Sequence, residues 1–235
     1  MRTHILAAAL IATSLVAAAT PVAAAERHFS ANSFTRIRID GPYKVRLAVG
    51  VAPFATANGS PQALDGVAID VQGATLVVHA DRSSWGGSSG QTVGPVEISL
   101  GTHELTAAWV NGSGSLAIDQ VKGLSFDLSV QGSGGASIDK VAVDQFKLGL
   151  AGAASARLAG AALRMTAIVR GSSVFDGSAL ATKNVTIGAE GPAIVKLIAT
   201  ETAKVDAMGA STVTLGGSPA CTVRAQGSAS VEGCH

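Results

Sequence analysis

Side chains that could do chemistry are few and scattered in this chain of 235 residues. Its five histidines are His4, His28, His79, His103 and His235. None of them has metal-ligand spacing to another histidine, a cysteine or a carboxylate. Serines follow glycines at several places, but no G-x-S-x-G segment joins a strand to a helix as a nucleophile elbow requires. We therefore assign no catalytic residue, no metal ligand and no cofactor.

Asp119 and Asp139 each follow a glycine, Gly112 or Gly132, by seven residues. If these segments stack, the two carboxylates become neighbours and could hold a Ca²⁺ ion, which prefers oxygen ligands. The alternative is that both are turn residues that cap strand ends. The sequence leaves both interpretations open.

Aromatic side chains could form a binding surface, although they make up only 4% of the chain. Trp85 lies in a glycine- and serine-rich segment, Trp109 precedes Gly112 by three, and Tyr43 follows Gly41 by two. Tryptophan is enriched among binding hot spots, and segments outside regular repeats often carry recognition residues. The sequence predicts that Trp85, Trp109 and Tyr43 contribute to a shallow ligand-binding patch. The alternative is that the segment around Trp85 folds back over Trp109.

Both cysteines, Cys221 and Cys234, lie near the end of the chain. In an exported protein, an isolated pair at this spacing predicts a disulfide rather than a metal or redox site. Its position predicts that it locks the terminal repeat, whose strand edge would otherwise fray or recruit another chain.

A repeat of about twenty residues organises the elements that must position these side chains. Its glycines are Gly112, Gly132, Gly152, Gly171, Gly191, Gly209 and Gly227. Two, four and six residues before each glycine, and four and six after it, most positions are apolar, whereas the residues between them are small or polar. This alternation predicts strands with one buried face. Predicted core residues are Leu128, Val130, Ile138, Leu148 and Leu150.

Every repeat reads in the same direction, so we expect identical units stacked in parallel as a β-helix. Outward positions support this stacking, because charges of opposite sign recur at equivalent places. The pairs expected to be lateral neighbours are Asp127 with Lys147, Arg170 with Glu190, and Asp176 with Arg157 and Lys196.

The chain begins with a basic residue, an apolar run and an A-x-A site, which predicts a signal peptide over residues 1–25. The remainder, 26–235, reads as one β-helical domain, with irregular first rungs over 26–104 and regular repeats over 105–234. A loop is expected around residues 53–61. Val67, Ile69 and Val71 then alternate up to Gly73, and Leu76 and Val78 continue the pattern.

Charge and hydropathy limit the partners. The signal segment holds one of the 17 lysines and arginines, Arg2, so its removal leaves 16 against 16 acidic residues. A formal charge of zero gives no electrostatic case for nucleic acid or anionic lipid. No later stretch has the roughly 18 continuous apolar residues of a membrane-spanning helix.

Short glycine-rich motifs carry a family resemblance over residues 34–232. The opening segment 34–41, the strand 96–100, and the corners 111–116 and 131–136 resemble the bacterial head GIN-domain family, whose members are described as auto-transporter adhesins. The resemblance implies a right-handed, pectin-lyase-like parallel β-helix, an envelope location and a role in adhesion. After Gly152 the corners depart from the Gly-Ser-Gly pattern, although the period continues.

These observations predict a secreted or periplasmic, non-catalytic binding and adhesion module of the cell envelope. Its partner would be a surface glycan or a protein, and the sequence does not choose between them. Two alternatives remain: a carbohydrate-active enzyme on the same scaffold, and a structural envelope protein that assembles through the ends of its solenoid.

Overall fold

The alternation of apolar and polar residues builds a β-solenoid of about 6 turns, in which 74% of the described residues lie in strands and 3% in helix. This architecture is seen in a computed structural model that describes residues 25–81 and 95–235. The predicted signal peptide, residues 1–25, lies outside the described residues except for Ala25. Among the described residues, no helix has the length and apolar character needed to cross a membrane.

Sixteen strands and one short helix follow one another along the described chain. They are β1 (Ala25–Phe29), β2 (Arg36–Asp40), β3 (Lys44–Val49), β4 (Phe54–Gly59), α1 (Pro61–Asp65), β5 (Val67–Gln72), β6 (Thr75–Ala80), β7 (Glu97–Thr102), β8 (Ala107–Gly112), β9 (Ser115–Gly132), β10 (Gly135–Gly152), β11 (Ser155–Arg170), β12 (Val174–Glu190), β13 (Ile194–Gly209), β14 (Thr212–Gly216), β15 (Ala220–Gly227) and β16 (Ser230–Glu232).

Each regular coil has three walls, which we define on β9. Wall 1 contains residues 115–118, wall 2 contains residues 121–123, and wall 3 contains residues 125–131. The next coil stacks on all three in parallel and in register, so that Leu128 faces Leu148 and Val130 faces Leu150. The five predicted core residues are all buried, at 3% exposure or less, and this prediction is confirmed.

The repeating glycine is required where wall 3 turns into wall 1. Gly132 has a φ of +104°, a region that side chains rarely adopt. A Cβ at this position would lie 2.5 Å from the carbonyl oxygen of Gly112 in the preceding coil. Because coils stack backbone on backbone at this corner, a side chain would force them apart.

Three of the four predicted lateral pairs form ion pairs on the outer surface, and the fourth, Asp176 with Lys196, is adjacent in register. Lys147 Nζ lies 3.8 Å from Asp127 Oδ1, Arg170 Nε lies 3.0 Å from Glu190 Oε2, and Arg157 Nε lies 3.5 Å from Asp176 Oδ2. These contacts confirm the stacking register that the glycine spacing predicted. Exposed pairs of this kind contribute about 0–1 kcal/mol each to stability.

The N-terminal third departs from the regular stacking, and one expectation was wrong. The segment 53–61 is not a loop: β4 occupies most of it and pairs antiparallel with β1 on one side and β7 on the other. The helix α1 follows at once, its first turn capped by the Ser60 hydroxyl, which accepts from the Ala63 amide. Leu64 of α1 is 1% exposed and joins the core, so the helix covers the N-terminal end of the solenoid.

A hairpin forms the other irregular part. β5 and β6 are antiparallel and joined by Gly73 and Ala74, and β6 alone continues the parallel stacking, against β2. Gly73, with a φ of +62°, is therefore a hairpin residue and not a corner of a coil. The outer edge of wall 3 thus begins with the order β5, β6, β2, β8.

The last rung is tied across its corner by the predicted disulfide. Cys221 of β15 is bonded to Cys234, with 5.6 Å between their Cα atoms. Here the inward row of wall 3 is exposed: Val223 is 41% exposed, whereas its neighbour Val205 in the rung above is fully buried. The disulfide therefore connects walls 1 and 3 in the coil that has the fewest packing partners.

Candidate binding groove

Trp109 lies on the outside of wall 3, as its spacing predicted. Its register neighbours are Arg38 of β2 and Ser129 of β9. The side chain is half-buried, so part of the indole is open to solvent. Trp85, the other tryptophan of the predicted patch, lies outside the described residues.

Tyr43 lies elsewhere. It is 7% exposed and packs in the hydrophobic core, with its ring against Gly41. Burial away from water raises the pKa of its hydroxyl above the ordinary tyrosine value. We therefore leave Tyr43 out of the candidate site, because its ring offers no surface to a ligand.

Asp119 and Asp139 occupy equivalent positions after wall 1 of adjacent coils. Asp119 Oδ1 accepts hydrogen bonds from the backbone amides of Val49, at 2.9 Å, and Gln120, at 2.6 Å. Asp119 is thus a turn residue that caps strand ends, one of the two roles that the sequence left open. Within the described residues, no cluster of three or more histidines, cysteines or carboxylates could hold a metal ion.

Next to Trp109, the structure brings together polar residues that the sequence analysis did not connect. A groove of about 800 Å³ lies on the outer face of β2, β6 and β5. Its lining residues are Arg38, Asp40, Ala68, Asp70, Gln72, Val77, His79, Ala80 and Asp81. Because the side chains of a strand alternate between faces, Arg38 and Asp40 share the outer face of β2. The same holds for Asp70 and Gln72 on β5.

Two of these residues form a fixed chain with β8. Arg38 Nε lies 2.9 Å from Asp40 Oδ2, and the other oxygen of Asp40 accepts from Asn111 Nδ2 at 2.7 Å. Both carboxylate oxygens of Asp40 are therefore occupied. This chain orients the Arg38 guanidinium along the groove, one strand away from Trp109.

His79 fixes the other side of the groove. Its Nδ1 lies 2.9 Å from the Ala80 carbonyl oxygen, and its Nε2 lies 2.9 Å from Asp70 Oδ2. Both neighbours are acceptors, so the two nitrogens can donate together only in the imidazolium form. The hydrogen bond to the Ala80 carbonyl and then the one to Asp70 raise the pKa of His79. The charges of Asp70 and Asp40 add to this rise, and partial burial opposes it.

A second depression lies on wall 2 and has a different character. It measures about 390 Å³, and its ten lining residues are four alanines, Val143, Leu163, two threonines, Asp144 and Lys183. Most of this lining is apolar, so it provides fewer directional contacts than the groove beside Trp109. The groove beside Trp109 is the more specific candidate, because a few positioned polar groups fix how a ligand binds.

Comparison with known proteins gives the family. Residues 33–219 match the family described as "Putative auto-transporter adhesin, head GIN domain". The chain belongs to this family. A comparison with curated proteins found no match.

Solved structures share the head GIN-domain fold seen here. A "putative adhesin" from Bacteroides fragilis NCTC 9343 has a TM-score of 0.81 at 15% identity, covering 89% of this chain and 96% of its own. A "putative lipid binding protein" from Parabacteroides distasonis ATCC 8503 has a TM-score of 0.73 at 16% identity, with coverage of 89% and 96%. A "putative adhesin" from Parabacteroides merdae ATCC 43184 has a TM-score of 0.67 at 17% identity, with coverage of 89% and 95%. At these identities the likeness concerns the fold alone.

Proposed function

We propose that this chain is an exported, non-catalytic binding and adhesion module of the cell envelope, and that its partner binds in the groove beside Trp109. The observation that carries the proposal is the groove itself. Rigid strands hold an arginine, carboxylates, an amide and a half-buried tryptophan on one face. Membership of an adhesin family points to the same class of function.

Export is supported by two features of different kinds. The apolar start and A-x-A site are typical of signal peptides. The disulfide between Cys221 and Cys234 is typical of oxidising compartments such as the periplasm or the cell exterior.

The groove also favours binding over catalysis. Its His79 lies between two acceptors, the Ala80 carbonyl oxygen and Asp70, which raise the pKa of the imidazole and so make it less suited to act as a general base. The carboxyl of Asp176, on wall 1, has its pKa lowered by hydrogen bonds from Ser178, so it is unsuited to act as a general acid.

An adhesion assay tests the proposal. Beads coated with residues 26–235 are washed over mucin, matrix proteins, isolated bacterial envelopes and whole bacteria, and the retained beads are counted. We expect retention on at least one surface and a loss of about tenfold for the double variant Arg38→Gln, Asp70→Asn, because charge-assisted hydrogen bonds are removed.

The matched control is Arg157→Gln, Asp176→Asn, which changes the same residue types on wall 1. Equal retention of the groove variant and this control would contradict the proposed site. Retention no better than that of uncoated beads on every surface would contradict adhesion altogether.

A further inference from the structure

The groove has hydrogen-bonding capacity that the described part of the chain does not use. Contacts among the described residues engage only Nε of Arg38 and only Oδ2 of Asp70. The Arg38 Nη groups and the second Asp70 oxygen are therefore left facing the groove, together with the Gln72 amide, which has no hydrogen bond to the described residues. The Arg38 guanidinium can donate two hydrogen bonds side by side, the Asp70 oxygen can accept, and the Gln72 amide can both donate and accept.

These groups are separated by an apolar floor. Along one row of the outer face, Asp70 pairs with Val77, and Val77 pairs with Arg38. Val77 points outward but is only 2% exposed, so it forms the base of the groove. With strands about 4.8 Å apart, the backbones at Asp70 and Arg38 are separated by about 10 Å across this base. On the far side of Arg38 the row continues with the indole of Trp109.

This alternation of polar edges and apolar surface matches a sugar. A pyranose ring carries hydroxyl groups around its rim, each a donor and an acceptor, and presents C–H groups on its faces. Hydroxyls can bond to Asp70, Gln72 and Arg38 while a face rests on Val77 or Trp109. Arg38 and Asp70 stand on strands and are held by Asp40 and His79, so little ordering of these two side chains is needed when a ligand binds.

The charge of the groove limits the kind of sugar that can bind there. Arg38 contacts the Asp40 carboxylate and His79 contacts the Asp70 carboxylate, so each basic side chain that lines the groove already has an acidic partner. A sulfated, phosphorylated or uronic acid chain would bring negative charge against these carboxylates and would have to compete with them for the basic groups. A neutral saccharide meets no such repulsion.

Exposed apolar side chains argue against a protein in this groove. The large ones are Val51, Phe54, Leu124, Leu163, Val174, Ile194, Met208 and Val223. None of these lines the groove. Protein interfaces usually have a buried apolar centre, whereas the apolar residues that line this groove are Ala68, Val77 and Ala80, with the half-buried Trp109 beside them. Resting on the proposed function, we infer that the groove binds a neutral oligosaccharide, with Arg38, Asp70 and Gln72 bonding to hydroxyls and Trp109 stacking at the end of the site.

A glycan array tests this inference with residues 26–235, disulfide intact. The array carries neutral and anionic oligosaccharides of defined sequence, and the strongest neutral ligand is then titrated by calorimetry. We expect neutral ligands to dominate and the affinity to fall about tenfold or more in each of Arg38→Gln, Asp70→Asn and Trp109→Ala. The wall 1 control Arg157→Gln keeps its affinity. Thermal unfolding of every variant verifies that the fold is retained.

The outcomes separate this inference from the proposed function. Adhesion could depend on the groove, survive periodate oxidation of the target surface and be lost on protease treatment. This result would show that the partner is a protein. It would overturn the saccharide ligand and leave the proposed site in place. A preference for anionic glycans also overturns the neutral saccharide. If the groove variants adhere as well as wild type, both the saccharide and the proposed site fail.

Discussion

The regular coils and the N-terminal third use the same stacked strands for different purposes. In the coils, β9 to β13, most outward side chains lie beside their equivalents in the next rung, and opposite charges pair along the stack. In the N-terminal third, antiparallel strands bring together side chains without equivalents, such as Asp70 and His79. Repetition produces an even outer surface, and the break in repetition produces the candidate groove. The comparison teaches that function in this solenoid should be sought where the register rule fails.

The largest effect is expected from a charge in the core of the coils. Leu148 is 3% exposed and stacks between Leu128 and Ala167. Leu148→Asp buries an unpaired carboxylate and should cost about 4 kcal/mol or more of unfolding free energy. Chemical denaturation followed by circular dichroism measures it. Lys147→Ala, one residue away on the outer face, should cost no more than about 1 kcal/mol. Similar losses for the two variants would contradict the assignment of faces.

Loss of the disulfide should come next and act locally. Replacing Cys221 and Cys234 by serine should reduce stability by about 3 kcal/mol in the chain-entropy model. Because coils contact only their neighbours, hydrogen exchange should rise mainly in β15 and β16, and little in the β5–β6 hairpin. A uniform rise along the whole chain would show that the two ends are not independent. Two free thiols in protein made under oxidising conditions would contradict the bond.

Glycines in the two regions should differ in their tolerance of alanine. Gly132→Ala combines a φ of +104° with a backbone contact at 2.5 Å, and should cost at least about 2 kcal/mol. Gly73→Ala also has a positive φ, +62°, but a Cβ there would meet no atom within 4 Å. Only the conformational cost of about 1 kcal/mol then remains. Thermal or chemical unfolding measures both, and equal costs would contradict the close stacking of coil corners.

The smallest effect concerns pH and belongs to the hairpin alone. Asp70, the Ala80 carbonyl, Asp40, Arg38 and Asp81 surround His79, whose pKa is raised in the folded state. Its stabilising contribution is fully present below the unfolded pKa of about 6.5 and is lost as pH rises through the raised value. Hydrogen exchange of β5 and β6, corrected for intrinsic rates, should therefore be faster at pH 8.5 than at pH 6.

The variant His79→Gln is the control for this pH effect, because its side chain does not titrate. It should remove the pH dependence of the hairpin. The coils from Gly112 to Gly227 contain no histidine, so their protection should not change over this range. An equal change in both regions would show that another group is responsible.

The coils could be predicted from the sequence because the same pattern recurs at a constant spacing in successive repeats. Gly112, Gly132 and Gly152 fix the register, and the pairing of Asp127 with Lys147 follows from that register alone. The strand β4 lies outside this repeat, so no equivalent segment supported its prediction. Its inward residues are the small Ala55 and Ala57, which give a weak apolar pattern, and its partners run in the opposite direction.

The groove could not be found from spacing, because its residues come from strands that the sequence keeps apart. Arg38 and His79 are 41 positions apart, and β5 reaches the sheet only through the hairpin. A signal was present: Gly73 and Ala74 form a two-residue connection between alternating segments, which is typical of a hairpin. Reading Gly73 as a hairpin residue pairs Ala68 with His79 and Asp70 with Val77, and so places two polar side chains on one face.

The stacked coils also set a distance. From β2, which carries Arg38, wall 3 passes through β8 and β9 to β13 and reaches β15 after seven strand spacings, about 34 Å. The number of coils thus determines the distance between the groove and the disulfide-bonded rung. Adding or removing one coil of about twenty residues would change that length by about 4.8 Å while leaving every groove contact in place. The length of the solenoid and the contacts of the groove are therefore separate properties of this molecule, and each can vary without the other.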